Sequence, residues 1–198
     1  LLANIRQQIP EANGRVFCDT APLLERYWAW QAGLGWIGKN TQLLIPQAGS
    51  TFFLGEILLD IELEYDTPRP SRCGNCTRCL EACPTQALEA PYRLNAAHCL
   101  SYLTIENRGD IPEEAARKMG NCVYGCDRCQ QACPWNRFAR PTQEPELSPS
   151  EAFLRMTPEE WDTLSIEQYR ELFKGSAVKR AKYEGLMRNI GKIRKEKE

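Results

Sequence analysis

Eight of the ten cysteines in this 198-residue chain fall in two blocks whose spacing suits metal chemistry. The first block reads Cys73-x2-Cys76-x2-Cys79-x3-Cys83-Pro84, and it is nearly repeated as Cys122-x3-Cys126-x2-Cys129-x3-Cys133-Pro134, with x3 in place of the first x2. This is the bacterial run for paired 4Fe–4S clusters, in which closely spaced thiolates meet corners of one cube and the cysteine before proline ligates the other. The spacing therefore groups Cys73, Cys76, Cys79 and Cys133 around one cluster. It groups Cys83, Cys126 and Cys129 around a second, with Cys99 or Cys122 left open as the fourth ligand. Zinc knuckles use paired rather than triple C-x2-C steps. A disulfide scaffold is a small secreted design, and neither the length nor the start of this chain suits one. Two clusters imply one-electron transfers.

Composition narrows the class. Hydrophobic residues make up 42%, enough for a sizeable core. No run approaches the roughly 20 apolar residues of a membrane helix, and no charged-then-apolar leader opens the chain. The 25 basic and 26 acidic residues balance to −1. The balance is uneven along the chain: Lys174 to Glu198 holds nine Lys or Arg against three Glu, a local +6, and leaves −7 on the remainder. A general nucleic-acid coat is excluded, while the basic end can still meet phosphate.

Three parts must position the cysteines. Residues 1–66 read as mixed α/β, with a helix over Leu23–Ala32, Gly33 as its stop, and strands at Gln42–Ile45 and Thr51–Ile61. Between them runs the glycine-rich turn Gly33-Leu34-Gly35-Trp36-Ile37-Gly38-Lys39-Asn40. Residues 67–140 carry the cysteines, with helices at Asn95–Glu106 and Pro112–Met119. Pro141–Pro149 reads as a linker, and the rest of 141–198 as helical, with capping boxes at Thr157–Glu160 and Ser165–Gln168 and a last helix from Ser176 past Arg188. Trp28, Trp30 and Trp161 read as core residues.

The flanking residues carry a resemblance. Phe17-Cys18-Asp19-Thr20-Ala21-Pro22-Leu23-Leu24-Glu25-Arg26, the glycine-rich turn, Gly49-Ser50 and Phe53-Leu54-Gly55-Glu56-Ile57 resemble the epoxyqueuosine reductase family. So do Cys99-Leu100-Ser101-Tyr102-Leu103-Thr104-Ile105-Glu106 and Gly125-Cys126-Asp127-x-Cys129-Gln130-x-x-Cys133-Pro134-Trp135-Asn136. The basic stretch Ser176 to Asn189 resembles it too. A plain ferredoxin has no use for the first 66 residues.

The resemblance implies an α+β architecture. Residues 1–66 would be the C-terminal part of a mixed α/β cobalamin-binding lobe, 67–140 a ferredoxin-like two-cluster domain, and 141–198 a helical, HEAT-like segment that contacts tRNA. The family carries a further N-terminal segment in that lobe, and this chain is expected to begin inside it. The implied activity is reduction of epoxyqueuosine to queuosine at the tRNA wobble position, with cobalamin fed by two 4Fe–4S clusters. A flavodoxin- or ferredoxin-type donor, a monomer and a cytoplasmic location follow from the same resemblance. It selects Cys99 over Cys122 for the second cluster and leaves Cys122 and Cys18 as free thiols. Asp19 matches the family's general acid; read alone, an Asp before Thr-Ala-Pro caps a helix. Gly38, Lys39, Asn40, Ser101 and Asp127 become candidate cofactor contacts, and Lys179, Arg180 and Arg188 candidate phosphate contacts. The only histidine is His98, outside any Asp-x-His-x-x-Gly segment, so such a motif supplies no axial cobalt ligand here. The competing reading is a two-cluster electron-transfer module without catalysis of its own.

Overall fold

The computed structural model describes residues 1–195 and the side chains of residues 1–194. Residues 196–198, which the sequence reading placed in the helical segment, lie outside the described residues. The chain forms two discontinuous compact units, one of residues 1–77 with 130–140, the other of residues 78–129 with 141–198. The cysteine-rich stretch thus contributes to both.

The first unit begins with helix α1 (Leu2–Gln8) and strand β1 (Gly14–Phe17). Helix α2 (Glu25–Gln31), the short strands β2 (Trp36–Ile37) and β3 (Leu43–Leu44), and strand β4 (Glu56–Leu59) follow. β1 and β4 pair antiparallel from Gly14 opposite Leu59 to Phe17 opposite Glu56. β2 and β3 pair Trp36 with Leu44 and Ile37 with Leu43. The core here is built from Phe17, Ala29, Trp36, Leu43 and Leu44. Gly33 stops α2 as the sequence predicts: with φ +67°, its N–H bonds to the Trp30 carbonyl and the Leu34 N–H to that of Ala29. That left-handed helix end favours glycine. Both strands are shorter than their apolar runs. Trp28 is 55% exposed and corrects its reading as a core residue; it sits on the outer face of α2 beside Tyr27.

The second unit contains α3 (Arg78–Glu81), the hairpin of β5 (Leu88–Ala90) and β6 (Arg93–Leu94), α4 (Leu100–Ile105) and α5 (Glu113–Ala116). After α6 (Arg128–Gln131), which leads back to the first unit, come α7 (Glu151–Arg155), α8 (Pro158–Asp162), α9 (Ile166–Leu172) and α10 (Lys182–Lys195). The helix expected over Asn95–Glu106 divides at Cys99, whose extended backbone (φ −73°, ψ 123°) separates a 3-10 turn from α4. Both capping boxes form, at Thr157 with Glu160 and at Ser165 with Gln168. One core gathers Leu100, Leu103, Ile111, Ala116 and Met119; another gathers Leu164, Tyr169, Phe173, Leu186 and Ile190, with Trp161 against it. Leu186, Asn189 and Ile190 recur at helical spacing, which presents one stripe of α10 inward.

Lys192 on α10 reaches Asp110 at 3.0 Å and Glu113 at 2.7 Å. The hydrogen bond from Lys192 lowers the Asp110 carboxyl below its ordinary 3.8. Those to Glu113 and Asp110 raise Lys192 above 10.5. A lowered carboxyl stabilises the fold above its ordinary pKa and ceases to as pH falls; a raised amine stabilises below its ordinary pKa and ceases to as pH rises. Lys192→Met should therefore lower the thermal midpoint near neutral pH. The difference from the parent should shrink below pH 3.8 and above pH 10.5 in parallel thermal melts.

Candidate iron–sulfur and acid site

Cys73, Cys76 and Cys133 lie in the first unit, and Cys79, two residues past Thr77, is counted in the second. The Cys76 N–H bonds back to the Cys73 carbonyl at 3.1 Å, closing the tight turn that C-x2-C requires. Cys133 enters from the other stretch of the unit and is held by a latch the sequence reading did not assign. The Ser50 N–H donates to Asn136 Oδ1 at 2.6 Å, and Asn136 Nδ2 donates to the Gln130 carbonyl at 2.6 Å. Ser50 Oγ lies 2.9 Å from Gln130 Oε1. Trp135 packs edge-on against Trp36 with ring centroids 4.8 Å apart. Burial raises the Cys133 thiol, and Cys73 and Cys76 raise it further.

The second unit holds Cys83, Cys99, Cys126 and Cys129. Burial pushes the Cys129 thiol up to about 12, and negative charge on Cys126, Cys99 and Cys83 adds to the shift. Burial also raises Cys126, against a lowering backbone hydrogen bond, and both Cys122 and Cys99 add to the rise. Cys99 thus acts on both thiols of the second block. The loop that presents Cys126 is pinned from behind. Asn189, fully buried on α10, donates to the Thr104 and Val123 carbonyls, each at 2.8 Å. The Gly125 N–H donates to Thr104 Oγ1 at 3.0 Å. Arg128 donates to the Lys118 and Met119 carbonyls at 2.8 and 2.9 Å.

These thiols suit clusters chemically. Burial and neighbouring sulfurs raise the Cys126, Cys129 and Cys133 thiols, which favours their protonated form in the bare chain, and metal binding releases such protons. Among the described residues, no group of three or more His, Cys, Asp or Glu converges on a single metal ion. A cube spreads its irons over separate corners and does not ask for one point of convergence.

The other candidate residues fare differently. Asp19 is exposed at φ +52°, and its N–H donates to Glu25 Oε1 at 2.8 Å. It does not cap α2, whose N-cap is Leu24 with no side-chain bond. Gly38 is buried inside its own turn, its N–H on the Gln42 carbonyl at 2.8 Å. Lys39 points its ammonium at the cysteine loop, at 2.6 Å from the Gly74 carbonyl and 2.9 Å from that of Cys76. Asn40 is 3% exposed; its Oδ1 accepts from the Gln42 N–H, while Nδ2 has no partner. Trp36 Nε1 is likewise buried without an acceptor. Two unpaired donors in one turn fit a group that brings acceptors, as the side-chain amides of a corrin do. Ser101 is half-buried and Asp127 exposed, both in the second unit.

Arg188 corrects the phosphate reading. Its guanidinium donates to the Leu103, Asn107 and Gly109 carbonyls and to Asn189 Oδ1, which uses all five of its N–H groups. It fastens α10 to the segment after α4 and has no donor left for a ligand. Lys179 and Arg180 are exposed on a 3-10 turn, Ala177–Ala181, and Arg180 pairs with Glu106.

Residues 72–136 match the 4Fe-4S double cluster binding domain, which fits the chemistry of the cysteines. The chain resembles the epoxyqueuosine reductases along nearly its whole length. It is 45% identical over 186 residues to the epoxyqueuosine reductase of Cellulophaga algicola, covering 94% of this chain and 61% of that protein. A selenomethionine-labelled epoxyqueuosine reductase crystal structure superposes with a TM-score of 0.89 at 32% identity, over 97% of this chain and 51% of that one. A second, with a tRNA-Tyr epoxyqueuosine-modified stem loop, gives 0.83 at 31%, over 97% and 51%. The chain therefore spans between half and two thirds of the length of these proteins. Among the described residues, no helix is long and apolar enough to cross a membrane.

The latch on Cys133 is open to test. A Cβ at Gly49 would lie 2.2 Å from Asn136 Oδ1, at φ +75°. Gly49→Ala should cost about 1–3 kcal/mol of stability through clash and backbone strain. After anaerobic reconstitution, its iron per chain should fall below the parent's.

Proposed function

We propose that this chain acts in reducing epoxyqueuosine to queuosine in tRNA, holding two 4Fe–4S clusters and the acid that protonates the leaving oxygen. The observation that carries this reading is that the similarity to epoxyqueuosine reductases runs through 94% of the chain, far outside the double-cluster stretch 72–136. A stem loop bearing epoxyqueuosine accompanies one of the similar structures, which supports tRNA as the substrate.

The chemistry sets what the residues must do. Turning the epoxide into an alkene and water takes two electrons and two protons. Cys73, Cys76, Cys79 and Cys133 would hold one cluster, and Cys83, Cys99, Cys126 and Cys129 the other, relaying electrons singly. Cys99 is preferred to Cys122 because the resemblance to the family places a cluster ligand there; its action on both Cys126 and Cys129 supports this, although Cys122 acts on Cys126 too. Cobalamin, when bound, would supply the metal centre that delivers electrons to the substrate carbon. Asn40 and Trp36, with their unpaired buried donors, would hold its amides. Asp19 would give its proton where an alkoxide otherwise develops. It is exposed at the surface, and its left-handed backbone is the kind of strain that collects at functional sites. Lys179 and Arg180 would meet phosphates and position the tRNA without reading bases. Residues 1–66 would serve as part of a cobalamin lobe, and 141–198 as HEAT-like helices. A flavodoxin- or ferredoxin-type donor, a monomeric state and a cytoplasmic location complete the reading.

Asp19→Asn tests it. With the chain reconstituted with iron, sulfide and cobalamin, the variant should convert an epoxyqueuosine stem loop at least 10²-fold more slowly than the parent, at equal iron content. Equal rates would remove Asp19 as the acid. A parent with full clusters and no turnover would favour the electron-transfer module.

A further inference from the structure

We infer that Lys39 is a positioning residue that raises the reduction potential of the cluster bound by Cys73 and Cys76. The inference rests on the assignment of those two cysteines to a cluster.

Lys39 stands at the end of the glycine-rich turn, which is tied down on both sides. The Gly38 N–H donates to the Gln42 carbonyl at 2.8 Å, and the Thr41 N–H to the Gly38 carbonyl at 2.9 Å. From there the half-buried Lys39 side chain crosses to the cysteine loop and donates to two of its carbonyls, Gly74 at 2.6 Å and Cys76 at 2.9 Å. Both acceptors lie within the Cys73–Cys76 turn. Gly74 has φ +51°, and a Cβ added there would meet nothing within 4 Å. Among the described residues, Lys39 makes no ion pair; neutral carbonyls are its partners and its charge stays uncancelled.

Two consequences follow. The two hydrogen bonds hold the turn that aims both thiolates. The ammonium also places a full positive charge against the loop at partial burial, where charge is screened less than in water. Reduction adds one negative charge to a cluster, so a fixed cation beside it favours the reduced form. Hydrogen bonding and charge around the sulfurs are among the levers that set such potentials. Lys39 thereby favours the reduced form of this cluster.

An EPR-monitored redox titration of the reconstituted chain tests this, comparing the parent with Lys39→Met, Lys39→Gln and Lys39→Arg. The glutamine keeps an N–H donor for the loop and drops the charge; the arginine keeps both. We expect Lys39→Gln to retain about eight irons, as two 4Fe–4S clusters require. One of its two potentials should shift downward while the other stays put, and Lys39→Arg should restore most of the shift. Lys39→Met should show the same downward shift, with less iron if the hydrogen bonds are also needed. Parent-like potentials in Lys39→Gln at full iron would overturn the inference and leave the cluster assignment standing. A parent chain that takes up no iron would instead overturn the assignment.

Discussion

Thiols that must sit close together, half-buried, repel one another as soon as they ionise. Every feature around the cysteines answers to that constraint. Cys129 shows it most: burial and the neighbouring sulfurs lift its thiol to about 12. Cys126 and Cys133 are raised too, so without iron to accept the negative charge these three thiols favour the protonated form, and the loops that carry them lack the bonds that would order them. The protein scaffold must therefore hold the loops in position.

It does so in each unit with side chains that grip backbone. In the first, Asn136 bridges Ser50 and the Gln130 carbonyl while Lys39 grips the Cys73–Cys76 turn. In the second, Asn189 and Arg188 of α10 bind carbonyls around α4 and the loop before Cys126, and Arg128 closes that loop from its far end. Side-chain donors on buried carbonyls are costly to remove, because the carbonyl is left unpaired away from water. The helical tail thus supports the cluster loop as well as supplying exposed basic residues.

The cysteine runs were legible because thiolate geometry on a cube fixes short spacings. The capping boxes and the Gly33 stop were legible because their bonds span three or four residues. Pairings across long separations were not. Ser50 and Asn136 lie 86 residues apart, and nothing local in either marks the bond. Arg188 looked like one more cation on a basic helix, and only the fold shows that backbone carbonyls consume its donors. Trp28 looked like core because tryptophan usually is, yet α2 turns it outward. Cys99 and Cys122 could not be separated by spacing, and both act on Cys126, Cys122 the more strongly, while Cys99 acts on Cys129 as well.

The central claim is that eight of the ten cysteines hold two 4Fe–4S clusters, with Cys99 rather than Cys122 completing the second. Iron and sulfide counts on the anaerobically reconstituted parent, Cys99→Ser and Cys122→Ser address it directly. The account predicts about eight irons in the parent and in Cys122→Ser, and about four in Cys99→Ser. Full iron in Cys99→Ser with a loss in Cys122→Ser would contradict the ligand set, and zinc in place of iron would contradict the clusters themselves.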